Sequence, residues 1–138
     1  MIKNCLKDNN IDNYKLILKG LYKEETTLKF QTMDGAGARF SEGGETIEVS
    51  SIDKVLLSDD RKVTLIKMDI EGAEGDAIKG AWQLIKRDSP RLALSVYHKP
   101  NDFFDIPNQL LEIHPDYRFA YRQYCTMGEE TVLYAWRE

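Results

Sequence analysis

Three carboxylates, Asp69, Glu71 and Glu74, fall within the stretch IKMDIEGAE, Ile66 to Glu74, with Gly72 among them. A short apolar run precedes them and a helical pattern follows, so they sit where a strand gives way to a helix. In open α/β sheets, ligands bind outside the carboxyl ends of strands. Gly72 permits a tight turn there, and the first amides of the next helix favour nearby anions. Acidic side chains at such a place can hold an ammonium group, a hydroxyl or a divalent cation. A plainer reading stands beside this one: Asp69 or Glu71 caps the helix and Glu74 faces water, since acids are common in a first helical turn.

His98, in SVYHKP, is the second candidate. It lies just past a predicted strand, Arg91 to Tyr97, on the same edge as Asp69, with Tyr97 and Lys99 beside it. Its reference pKa of about 6.5 suits a general base near neutral pH. The alternative is a histidine that hydrogen-bonds loop backbone. His114, before Pro115, reads as an exposed surface residue. The tyrosines of the C-terminal segment and Trp136 read as core and surface of a sheet. Gly35-Ala36-Gly37 is not followed by the further glycine that a dinucleotide loop needs, because Phe40 stands in its place, so it reads as a flexible loop.

The elements that must position these residues follow from periodicity. Met1 to Asn10 reads as the tail of an amphipathic helix, and Tyr14 to Leu21 as a strand. Thr26 to Gln31 and Thr46 to Ser50 are predicted strands joined by a glycine-rich loop. In the segment SSIDKVLLS, Ser51 and Asp53 offer caps for a short helical turn. Val63 to Met68 has the unbroken apolar character of a buried parallel strand. Ala73 to Lys86 reads as one helix, stopped by Pro90. Arg91 to Tyr97 is a second buried strand, and Asn101 to Ile113 a helix that Pro107 must start or kink. Tyr117 to Tyr124 and Thr131 to Trp136 alternate around a turn, which predicts a closing antiparallel hairpin. This order implies a mostly parallel sheet with an antiparallel edge.

Composition bounds the function classes. The 138 residues fit one domain with an ordinary apolar fraction, 42%. A net charge of −4 argues against a sequence-independent grip on nucleic acid or an anionic membrane. No apolar run approaches the roughly 20 residues that span a bilayer. The N-terminus has no apolar signal core. Cys5 and Cys125 form no metal-type or redox-type pair and read as reduced thiols of a cytoplasmic protein.

The blocks IKMDIEGAE, AIKGA, PRLALSVYHKP and ETVLYA occur in this order between about Ser51 and Ala135. As an ordered set they resemble the FkbM methyltransferase family. YKLILKGLYKEETTLKF is more loosely similar to the family's preceding strand and hairpin. The resemblance implies a class I, Rossmann-like methyltransferase fold ending in an antiparallel hairpin. It implies methyl transfer from S-adenosylmethionine to a hydroxyl oxygen of a sugar, polyketide or similar small molecule. Asp69 then falls beside the reacting end of the cofactor, with Glu71 as a further cofactor contact. Tyr22 ends the strand that leads to the adenine, where it either stacks on the base or is a packed aromatic. Asp69 and His98 are the expected catalytic residues, and Glu74, Tyr97 and Lys99 the expected substrate contacts. No residue is assigned to a metal.

The family's glycine-rich nucleotide loop and ribose-binding acid have no counterpart in this sequence. The chain therefore reads as a single, N-terminally truncated domain, 1–138, lacking the first two strands, with weak or absent cofactor binding on its own. The missing first strand would leave Val63 to Met68 unpaired on one side. Either the strand from Tyr14 moves in, or another copy of the chain pairs there. Two further functional readings remain: a non-catalytic ligand- or partner-binding remnant, and a metal-dependent sugar-nucleotide transferase with Asp69 and Glu71 as hard oxygen ligands.

Overall fold

A computed structural model describes residues 2–32, 38–40, 44–126 and 130–138. It shows a mixed α/β fold with two sheets. The first half contains α1 (Ile2–Asp8), β1 (Gly20–Leu21), β2 (Thr26–Thr32), β3 (Ala38–Phe40), β4 (Glu45–Ser50) and α2 (Ile52–Leu56). The second contains β5 (Leu65–Met68), α3 (Glu74–Lys79), α4 (Trp82–Asp88), β6 (Arg91–Ser95), α5 (Asp102–Ile113), β7 (Arg118–Gln123) and β8 (Thr131–Trp136).

The sheets run β1-β4-β2-β3 and β5-β6-β8-β7. Two sheets stand where one was expected, and within the second, three of the four strands, β5, β6 and β7, share one direction while β8 runs against them. β1 pairs with β4 and β5 with β6 in parallel, whereas every other described pairing is antiparallel. A parallel pair needs a long crossover, and in the second sheet only α3 and α4, between β5 and β6, supply one. The predicted closing hairpin is present as β7 and β8, registered from Arg118 opposite Trp136 to Gln123 opposite Thr131. Of the predicted strand Tyr14 to Leu21, only Gly20 and Leu21 pair, and they pair with β4 rather than beside β5. Part of the predicted loop after β2 is a strand, β3. Gly35-Ala36-Gly37 lies outside the described residues.

The core lies between the second sheet and its helices. Met68, Leu92, Leu94 and Leu133 meet Ile78, Leu84 and Ile85 from α3 and α4, and Ile106 and Leu110 from α5. Period-2 burial along β8 turns Thr131, Leu133 and Ala135 inward, as alternation requires.

The predicted single helix from Ala73 is two helices, broken at Gly80 and Ala81. A Cβ on Gly80 would come within 2.3 Å of the Tyr22 carbonyl oxygen and 2.8 Å of Ser51 Cβ. Only glycine admits that approach of the first sheet's chain. The start of α4, at Ala81, has no capping side chain of its own. Asp53 supplies the cap from α2: its carboxylate accepts from the Gln83 amide at 3.0 Å and the Leu84 amide at 2.8 Å. Ser51 caps α2 as expected, accepting from the Lys54 amide at 3.1 Å.

Pro107 lies inside α5 rather than at its start. A proline there cannot donate to the carbonyl four residues back, which is Phe103. The Tyr121 hydroxyl of β7 donates to that carbonyl at 2.6 Å, and the Phe103 and Tyr121 rings stack 5.4 Å apart. Cys5 and Cys125 are free thiols. No described helix is long and apolar enough to cross a membrane.

Candidate functional site

β5 and β6 are parallel neighbours, so the residues following them emerge on the same edge. Asp69 and the turn Ile70–Ala73 follow β5, and Tyr97, His98 and Lys99 follow β6. The β5 turn is tight: Glu71 and Gly72 both have positive φ, 57° and 88°, and the Ala73 amide donates to the Ile70 carbonyl at 3.2 Å. A left-handed conformation is routine for glycine but costs a side-chain-bearing residue about 1 kcal/mol or more. Gly72 has a second constraint, because a Cβ there would lie 3.1 Å from Lys99 Cε and 3.4 Å from His98 Cβ. Its missing side chain lets the two turns close on each other.

The closure gathers three acids around one imidazole. His98 Nε2 lies 3.4 Å from Glu71 Oε2 and 3.7 Å from Asp69 Oδ1, and Nδ1 lies 3.5 Å from Glu74 Oε1. The Tyr97 hydroxyl donates to Asp69 Oδ1 at 3.3 Å. Lys67 Nζ stands 3.5 Å from Asp69 Oδ2 on the exposed side. Asp69 and Glu71 are open to solution, whereas the His98 side chain is 10% exposed and Glu74 is not exposed at all.

Glu74 is therefore neither a surface acid nor open to a substrate. Its Oε1 accepts from the Ile70 amide at 2.8 Å, fastening the β5 turn from inside. Its Oε2 is buried without a hydrogen-bond partner, as are both ring nitrogens of His98. A buried polar atom left unsatisfied costs about 1–3 kcal/mol, and more when charged.

Behind this cluster, α3 and α5 frame a polar cleft of about 360 Å³, lined by Gly75, Lys79, Lys99, Asp102, Asp105 and Gln109 among others. Asp102 Oδ2 and Gln109 Oε1 are likewise buried without partners. Burial pushes the Asp102 carboxyl above its ordinary range, Glu74 adds to this, and the charges of Lys99 and His98 oppose it. Sequence reasoning missed Asp102 and Gln109. An acid in the first turn of a helix looks like any dipole-compensating residue, and the only signal was its closeness to His98.

The structure thus brings Asp69, Glu71, Glu74, His98 and Tyr97 together, with the stem of Lys99 over Gly72. It does not bring Tyr22 to them. The Tyr22 carbonyl lies against Gly80, at the opposite end of α3 from Glu74. His114, expected at the surface, is half-buried, with Nε2 3.1 Å from the Lys86 carbonyl and 3.2 Å from Ser89 Oγ. It joins the end of α4 to the chain after α5.

Comparison with known proteins agrees with this architecture. The methyltransferase FkbM domain family matches residues 2–122. The solved structure of methyltransferase FkbM from Methylobacillus flagellatus KT superposes with a TM-score of 0.76 at 30% identity. The match covers 98% of this chain and 32% of that one, so the chain spans about a third of its length. No curated protein matches the chain.

Proposed function

We propose, on the ground that the chain belongs to the FkbM methyltransferase family, that it forms part of a methyltransferase acting on the hydroxyl oxygen of a small molecule, with S-adenosylmethionine as donor. The observation that carries the reading is the convergence of Asp69 and Glu71 on His98 at the ends of adjacent parallel strands.

The residues present suit one end of that cofactor. Asp69 and Glu71 offer partly exposed carboxylates to a cationic group, and both lie at the mouth of the turn. No described residue forms a glycine-rich strand-loop-helix cradle for the nucleotide. The cofactor, when bound, supplies a methyl group on a positively charged sulfur. The chain's own residues prepare the acceptor. An alcohol oxygen is a poor nucleophile until its proton is drawn away, and a positioned acid–base group contributes about 10²–10⁴-fold to such a step. Asp69 and His98 are the groups that engage the acceptor hydroxyl. Tyr97 orients Asp69, and Glu74 holds the turn from behind. Lys99 and the cleft beside it offer charged and polar contacts to the rest of the acceptor. The two free thiols suit a reducing compartment, the cytoplasm.

The test is transfer of labelled methyl groups from saturating S-adenosylmethionine to a panel of hydroxyl compounds. Asp69→Asn and His98→Gln should each lower the rate by about 10²-fold or more. Transfer that both variants support at the parent rate would remove the assignment. Affinity for the cofactor in calorimetry should be weak, and micromolar binding by this chain would overturn that expectation.

A further inference from the structure

We propose that Asp69, Glu74 and His98 form a divalent-cation site. The inference concerns the same cluster as the methyl-transfer reading, and it rests on that reading only for the cation's role, not for its binding.

Each of the three residues offers one ligand atom, and these atoms all lie within 4.8 Å of one another. The separations decide between a hydrogen-bonded network and a set of co-ligands. Charge-assisted hydrogen bonds from an imidazole to carboxylates have lengths of about 2.7–2.9 Å. The observed contacts, 3.4 Å to Glu71, 3.5 Å to Glu74 and 3.7 Å to Asp69, are all longer. Ligands bound about 2.1–2.2 Å from one ion, at right or tetrahedral angles, stand about 3.0–3.6 Å apart. The Glu74 contact is made to Nδ1 and the Asp69 contact to Nε2, so an ion would take one of the two ring nitrogens, and the 4.8 Å that bounds the three ligand atoms leaves small side-chain adjustments to close the set around it.

The buried atoms point the same way independently. Glu74 is fully buried with Oε2 unpartnered, and His98, nine-tenths buried, has no hydrogen bond at either nitrogen. An interior that left a carboxylate oxygen and an imidazole without partners would be costly. An ion drawing on Glu74 and one ring nitrogen of His98 would give a partner to each of those two groups. Three carboxylates, Asp69, Glu71 and Glu74, face one imidazole, with Lys67 on the exposed side of Asp69 and the stem of Lys99 over Gly72 as the neighbouring cations. Oxygen-rich coordination with a single imidazole suits Mn²⁺ better than Mg²⁺, because nitrogen is a less apt ligand for the harder ion. Within methyl transfer, Asp69 and His98 would engage the acceptor hydroxyl through the cation, which makes that hydroxyl easier to deprotonate.

The experiment is titration of the metal-free chain with Mn²⁺, following the paramagnetic signal of the free ion and the heat of binding. One ion per chain should bind, and Asp69→Asn and His98→Gln should each weaken it by at least about ten-fold. Thermal melts establish that each variant is folded, and added Mn²⁺ should raise the melting temperature of the parent more than that of either variant. Absence of binding at about 1 mM Mn²⁺, the weak end of carboxylate sites, would overturn the proposal. So would equal affinity in parent and folded variants. Mn²⁺ binding without methyl transfer would leave the cation site standing and sink the methyltransferase reading. Methyl transfer unaffected by chelation, with no Mn²⁺ bound, would do the reverse.

Discussion

The Tyr97 hydroxyl donates to Asp69 Oδ1 at 3.3 Å, joining the turn that follows β6 to the residue after β5. Burial pushes the Tyr97 phenol up, the adjacent Asp69 charge and hydrogen bond add to this, and the result is about 12. A group whose folded value exceeds its unfolded value stabilises the fold fully below the unfolded value, here 10.0, and loses that contribution as pH rises toward 12. The difference between the tyrosinate absorbance titrations of the parent and a Tyr97→Phe variant isolates this phenol. It should appear above pH 10 and move downward when Asp69→Asn is added. A difference curve centred at or below the ordinary tyrosine range would refute the coupling.

Asp53 predicts a stability effect with no part in the chemistry. Its carboxylate holds the first amides of α4, and its own amide donates to the Gly80 carbonyl at 2.8 Å. Asp53→Ala should lower unfolding free energy by about 1 kcal/mol, within a range of about 0.5–2. Asp53→Asn, which keeps one acceptor, should lose less. Urea denaturation with an unchanged slope checks this, and an alanine variant as stable as the parent would contradict it.

The free edge of β5 predicts association. Among the described residues β5 pairs only with β6, and Leu65 on that strand is 61% exposed. The segment from Tyr14 has not moved in, because β1 is committed to β4. An open strand edge is a template for another chain, and we propose that a second copy pairs there. Light scattering should show mass increasing with concentration, and Leu65→Lys should reduce it. A monomer at every concentration, with slow amide exchange along β5, would rule this out.

What the sequence revealed was local. The alternation in Thr131 to Trp136 and the apolar run before Asp69 each specify a strand without help from tertiary context, and both strands are present. The placement of Asp69 and His98 on one edge followed from two parallel strands alone. The break at Gly80 was not legible, because an isolated glycine in a helical pattern reads as tolerated, and its cause is a carbonyl from Tyr22 far away in sequence. The two-sheet arrangement and the cap from Asp53 depend equally on partners brought by folding. Glu74 was recognised as part of the motif, but its burial was not. A first-turn acid is ordinarily solvated, and the burial of Glu74 comes from tertiary packing that no local pattern announces.

The bond from Tyr121 to the carbonyl that Pro107 leaves free gives the terminal hairpin a stake in events at the opposite end of α5. That helix opens with Asp102, directly after the turn carrying His98 and Lys99. A shift of β7 would pull on the helix at Phe103, the residue next to Asp102 in the cleft lining. Loosening the hairpin would therefore blur the aim of the imidazole without altering any residue that surrounds it.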